Sequence, residues 1–107
     1  MLPDITPTEL AAALQHPDHG LTLLDVREPA ELEICVLPNV VAIPKDQVPD
    51  RLAELRPDAH YVVICRSGKR SGDVAQLLSQ HGYPRVQNLA GGMLRWSDDV
   101  DPTVTKY

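Results

Sequence analysis

Four short apolar runs, spaced along the chain and separated by segments of helical character, constrain the fold more than any other feature. The runs are Leu21–Val26, Val40–Ile43, His60–Ile64 and Val86–Leu89, all rich in strand-forming residues. Thr6-Pro7-Thr8-Glu9 opens a helix before the first run. Thr6 is placed to cap it, Pro7 suits its first position and Glu9 completes a capping box. Pro29–Ile34, Val48–Leu55 and Ser71–His81 supply helices between the runs, and Gly91-Gly92 turns into a last one around Met93–Trp96. Strand alternating with helix predicts an α/β domain, a parallel sheet covered on both faces. In such sheets function gathers at the carboxyl ends of the strands.

A chain of 107 residues, 43% apolar and 23% charged, has the size and composition of one soluble domain, so residues 1–107 are read as a single unit. The net charge of −5 disfavours nucleic acid and acidic membranes as partners. No apolar run approaches the ~20 residues that span a bilayer. Met1-Leu2-Pro3-Asp4 lacks the basic and apolar regions of a signal peptide. Two cysteines far apart, Cys35 and Cys65, are too few for a disulfide framework and suit a reducing compartment, so a cytoplasmic location is expected. The four histidines show no metal-binding spacing, and neither a metal nor a cofactor is implied.

The run Cys65-Arg66-Ser67-Gly68-Lys69-Arg70-Ser71 carries the chemistry. It leaves the third apolar run and enters the strongest helix. A cysteine at a strand end, followed by a short glycine turn and a helix start, meets unpaired amides and the positive end of a helix dipole. Both favour negative charge on the sulfur. Arg66, Lys69 and Arg70 crowd the same loop, an arrangement suited to holding an anion above the sulfur.

Three stretches together resemble the rhodanese-like domains. Asp25-Val26-Arg27-Glu28-Pro29-Ala30-Glu31-Leu32 is similar to their "DVREPxE" signature. The Cys65 loop resembles their "CRxGxRS" loop, and Leu89-Ala90-Gly91-Gly92-Met93-Leu94-Arg95-Trp96 their "LxGGxxxW" ending. The motifs keep the family's order over nearly the whole chain. Glu33-Ile34-Cys35 and the tail Trp96-Ser97-Asp98-Asp99-Val100-Asp101-Pro102 with Lys106-Tyr107 further resemble the rhodanese domain at the carboxyl end of adenylyltransferase/sulfurtransferase proteins that activate ubiquitin-like sulfur carriers. One departure is Val36-Leu37-Pro38-Asn39-Val40, where the family has an "HxPGA"-like turn. Asn39 tolerates the left-handed conformation that glycine would supply.

The resemblance implies a three-layer fold with about five parallel strands, and a sulfurtransferase in which Cys65 carries sulfur as a persulfide. Arg66, Ser67, Gly68, Lys69, Arg70 and Ser71 would bind the substrate. Gly68 allows the tight turn, Arg70 is the foremost candidate for direct contact with an anionic donor, and Ser71 is expected to cap the helix. Thiosulfate or a persulfide-bearing protein such as a cysteine desulfurase would be the donor; a ubiquitin-like sulfur carrier is a candidate acceptor. Two other readings compete. One is a binding module without catalysis. The other is a phosphatase or arsenate reductase of the same fold, disfavoured because four residues rather than five separate Cys65 from Arg70. Asp25 and Arg27 are read as structural, Asp25 accepting backbone N–H groups and Arg27 pairing with a carboxylate such as Glu31, because a buried charge needs a partner. Cys35 and Trp96 are read as packing residues, and Gly91-Gly92 as a place of close backbone approach.

Overall fold

The most continuously buried strand, His60–Ile64, lies inside the sheet of a computed structural model that describes all 107 residues. The strands are β1 (Leu21–Asp25), β2 (Val41–Ala42), β3 (His60–Ile64) and β4 (Val86–Asn88). Their order is β2-β1-β3-β4 and every pairing is parallel. β1 and β3 run in register from Leu21 opposite His60 to Asp25 opposite Ile64, so Val26 and Cys65 leave the same edge of the sheet together. Four strands form the sheet, not five. The segment before α1 runs beside β4, with Leu2 N–H on the Val86 carbonyl and Ile5 N–H on the Asn88 carbonyl. Three residues there span what two span on β4, and Pro3 has no N–H to give, so only a single bridge, Ile5 to Leu89, forms.

The helices are α1 (Pro7–Leu14), α2 (Pro29–Ile34), α3 (Lys69–Gln80) and α4 (Gly92–Asp99). The capping box at α1 is present: Thr6 N–H donates to Glu9 Oε1 at 2.9 Å, and Glu9 N–H to Thr6 Oγ1 at 3.2 Å. The helix expected over Val48–Leu55 is instead 3-10 helix over Lys45–Glu54, broken at Arg51 by a φ of −119°. Pro44 and Pro49 account for this, since neither can donate a helical hydrogen bond. Asn39 takes the left-handed conformation expected of it, with φ 62°. No helix is long and apolar enough to cross a membrane.

Alternation along β3 divides the core between the two faces of the sheet. Tyr61 and Val63 point to the side of α3 and the 3-10 helix, where they pack with Leu24, Val48, Val74 and Leu78. Val62 and Ile64 point to the side of α1 and α4, among Leu10, Leu89, Met93 and Trp96. Cys65 continues the first set, so its sulfur turns toward α3.

One ion pair lies wholly within the fold. Asp25 and Arg27 are both 0% exposed. The Arg27 guanidinium donates from Nε and Nη2 to the Asp25 carboxylate, Nη2 at 2.8 Å, and Asp25 Oδ1 also accepts the Arg27 N–H at 3.0 Å. Nη2 further donates to the Cys35 carbonyl at 2.8 Å, pinning the end of α2. Arg27 therefore pairs with Asp25 rather than with Glu31. Two residues back on the strand end, Asp25 already faces the Arg27 backbone. Burial is the largest single influence and works against the guanidinium's charge, but the hydrogen bonds and charge of Asp25 together with the contact to Cys35 outweigh it, and its pKa lies above the ordinary value. Such a pair adds little beyond what apolar residues would, yet removing one partner strands a charge. Asp25→Ala is expected to lower unfolding stability by about 3–5 kcal/mol, read from the shift in urea midpoint at unchanged slope.

Candidate active site

Cys65 is the first residue after β3, at the carboxyl edge of the sheet. Its Sγ accepts the Gly68 N–H at 3.0 Å and lies 3.2 Å from Ser71 Oγ. Gly68 holds the N-cap of α3 with φ 97°, a conformation that side chains resist. The amides of Lys69, Arg70 and Ser71 then open the helix with no carbonyl one turn behind them, and the first intrahelical bond comes from Gly72 to Gly68. The loop and the helix start thus form a cup, with the Gly68 amide and the Ser71 hydroxyl facing the sulfur. Ser71 is not the cap; it lies three residues inside the helix, and Gly68 takes the cap because only a left-handed residue makes this turn.

Cys65 is 0% exposed. The sulfur lies at the floor of the cup, beneath the exposed residues Arg66 and Ser67. It is covered from water, yet the turn amide of Gly68 points at it.

Three elements hold the cup from outside. The start of α4 is the closest. Its Met93 N–H donates to the Cys65 carbonyl at 2.9 Å and Leu94 N–H to the Arg66 carbonyl at 3.0 Å. Gly92, with φ 59°, permits this approach, since a Cβ there would stand 2.5 Å from both carbonyl oxygens. From β4, Asn88 donates through Nδ2 to the Gly68 carbonyl at 3.0 Å and offers Oδ1 to the Ser71 hydroxyl at 2.5 Å. That hydroxyl has one hydrogen and two neighbours, the Asn88 oxygen and the Cys65 sulfur. From α2, Glu31 takes Arg70 in a two-bond fork, Nη1 to Oε1 at 2.6 Å and Nη2 to Oε2 at 2.8 Å.

The residues singled out in the sequence therefore come together, with different tasks among the cations. Arg70 engages Glu31. Arg66 stacks over the Tyr107 ring, 4.3 Å from its centroid. Lys69 is exposed and joins no carboxylate. Asn88 and Glu31 were missed as parts of the site. Asn88 lies in an apolar run where only its burial marks it, and Glu31 belongs to a motif whose partner is 39 residues away. Cys35 is half-buried, with its sulfur 3.6 Å from Arg27 Nη1.

Residues 6–99 match the model of the rhodanese-like domain family, and the chain belongs to that family. It is 36% identical over 104 residues to a sulfurtransferase of Allochromatium vinosum, covering 97% of this chain and 96% of that protein. It is 32% identical over 111 residues to the adenylyltransferase and sulfurtransferase UBA4 of Candida albicans, where it spans only 25% of the relative's length. Among solved structures, a rhodanese-related protein from Thermoplasma volcanium superposes with a TM-score of 0.83 at 30% identity, over 92% of this chain and 94% of that one. The α/β architecture with a parallel sheet between helices is shared with these neighbours. Sulfur transfer is the general chemistry that the names of its relatives carry.

Two outcomes follow from this geometry. Gly92→Ala forces a Cβ against two backbone oxygens at a left-handed φ. Strain of this kind costs about 1–3 kcal/mol even before the clash. A loss of at least that size is expected in thermal or urea unfolding. Glu31 has its pKa lowered to about 2, from 4.5, first by its bonds to Arg70. A carboxylate depressed on folding stabilises above its unfolded pKa, and that contribution fades as pH falls toward the folded value. The stability gap between wild type and Glu31→Gln should be constant near neutrality and close as pH falls from 4.5 to about 2, measured by urea unfolding across that range.

Proposed function

We propose that this protein moves sulfane sulfur from a donor to a thiophilic acceptor through a persulfide on Cys65. The observation that carries the reading is the Gly68 N–H directed at Cys65 Sγ at 3.0 Å, at the mouth of a helix with free amides. Those dipoles suit an anionic sulfur on Cys65 and, one atom further out, the anionic terminal sulfur of a persulfide.

With thiosulfate, the Cys65 thiolate attacks the outer sulfur. A Cys65 S–S bond forms, the donor's S–S bond breaks, and sulfite leaves with the electron pair. In the second half-reaction an acceptor such as cyanide attacks the terminal sulfur and releases the thiolate. Charge is conserved in each step, no proton is transferred, and ping-pong kinetics follow. Ser71 turns its hydroxyl hydrogen toward the sulfur when the sulfur is charged. Arg66, Ser67 and Lys69 form the lip that the donor passes, Gly68 shapes the turn, and Arg70 borders the cup. A cysteine desulfurase persulfide as donor and a ubiquitin-like sulfur carrier as acceptor fit the same cup; the carrier is suggested by UBA4 and by a relative from Bacillus subtilis named as a putative sulfur carrier protein.

The full burial of Cys65 favours one competing reading, a module that binds partners without chemistry. Intact and peptide mass spectrometry after incubation with thiosulfate separates the two. A gain of one sulfur on Cys65, lost in Cys65→Ser together with thiocyanate production, is the expected result. No gain from thiosulfate or from a persulfide donor would leave the binding module. Hydrolysis of phosphate esters is not expected: the loop is one residue short, and Arg70 already holds a carboxylate instead of an open oxyanion site. A p-nitrophenyl phosphate assay should show no turnover dependent on Cys65.

A further inference from the structure

The cup's charge is smaller than its composition suggests. Of its three cations, Arg66 is spread over the Tyr107 ring and Lys69 extends into solvent. Arg70, in the first turn of α3, is the one fixed in place, held by a carboxylate. Yet Arg70 is spent on Glu31. The fork is bidentate, and Glu31 Oε1 also accepts the Glu28 N–H at 3.0 Å, so the carboxylate is built into the first turn of α2. The Glu31 side chain is 13% exposed and that of Arg70 32%. Behind them, Asp25 and Arg27 form a second pair whose charges also cancel. The bonds to Arg70 hold the Glu31 pKa down to about 2, so its charge opposes that of Arg70 near neutral pH.

We propose that Glu31, by neutralising Arg70, sets the donor preference of this site: it weakens the pull on dianionic donors such as thiosulfate and so favours sulfur donors of low charge, such as a protein persulfide. Glu31 is a positioning residue acting through Arg70 and need not touch the donor. The inference rests on the sulfur-transfer reading given above.

The consequence has a sign and a scaling. Electrostatic attraction to one uncovered charge grows in proportion to the donor's own charge. Glu31→Gln uncovers Arg70 and should lower the KM for thiosulfate about fivefold at low ionic strength, roughly the effect of one solvent-screened unit charge on a dianion. For benzenethiosulfonate, which presents the same kind of sulfur–sulfur bond with half the charge, the drop should be about twofold. Arg70→Gln leaves Glu31 uncompensated and should raise both values, thiosulfate more. The double variant should return toward wild type, and kcat should move less than KM throughout. A purely structural pair would instead harm both single variants in the same direction and treat the two donors alike.

The test is steady-state kinetics with cyanide as acceptor for wild type, both single variants and the double variant, with melting curves confirming that each is folded. If Glu31→Gln alone does not fold, the double variant compared with Arg70→Gln decides, because on the charge account removing Glu31 in the Arg70→Gln background lowers the KM for thiosulfate more than that for benzenethiosulfonate. Equal shifts for the two donors, or a thiosulfate KM that rises in both single variants, would overturn the proposal. Mass spectrometry of the wild type separates the levels. Sulfur loading on Cys65 with no charge-dependent change in the variants rejects this inference alone; no loading from thiosulfate, benzenethiosulfonate or a persulfide donor rejects the sulfur-transfer reading and this with it.

Discussion

The peptide carbonyls of Cys65 and Arg66 are caught by the first amides of α4, and the geometry of the cup depends on that contact. A loop leaving a strand has many conformations, and fixing each residue's backbone costs about 1–2 kcal/mol. Here the loop is anchored before the turn by Met93 and Leu94, and at the turn by Asn88. Only with both anchors in place does the Gly68 amide stay aimed at the sulfur. Gly92 has no side chain because the anchoring backbone must come within van der Waals contact of the loop. The glycine pair that reads in sequence as close approach is the other half of the cysteine loop, supplied from some 25 residues downstream.

Much of the architecture was legible because it is local. The four apolar runs became the four strands, and His60–Ile64 did so without a shift. Thr6, Pro7 and Glu9 start α1 as their chemistry dictates. The errors arose where proline or a distant partner decides. Pro44 and Pro49 turned an expected α-helix into broken 3-10 helix, and Pro3 limited a fifth strand to one bridge. Ser71 reads as a cap because serine caps many helices, but the positive φ demanded at the turn gives that position to Gly68.

The site was legible in its centre and not at its edges. Cys65 and its glycine turn announce themselves by adjacency in sequence. The partners of Arg27 and Arg70 do not. In sequence Arg27 reads as a partner of a carboxylate such as Glu31 and Arg70 as a contact for an anionic donor; the turn after β1 instead gives Asp25 to Arg27, and the position of α2 gives Glu31 to Arg70. A basic loop in sequence is therefore not the same as a positive site in space. Counting cations overstated the attraction for anions, since the best-placed one is matched by a carboxylate.

The sulfur also inherits its direction from β3. Residues 61, 63 and 65 face α3, while 62 and 64 face α1 and α4. Side chains along a strand swap faces with every residue. Losing or gaining a single amino acid within this strand would therefore send the thiol to the opposite layer, under α4, even if the loop sequence were untouched. The spacing between Tyr61 and Cys65 thus works as a parity lock, since only a change of length in even steps would keep the Cys65 sulfur on the side of α3.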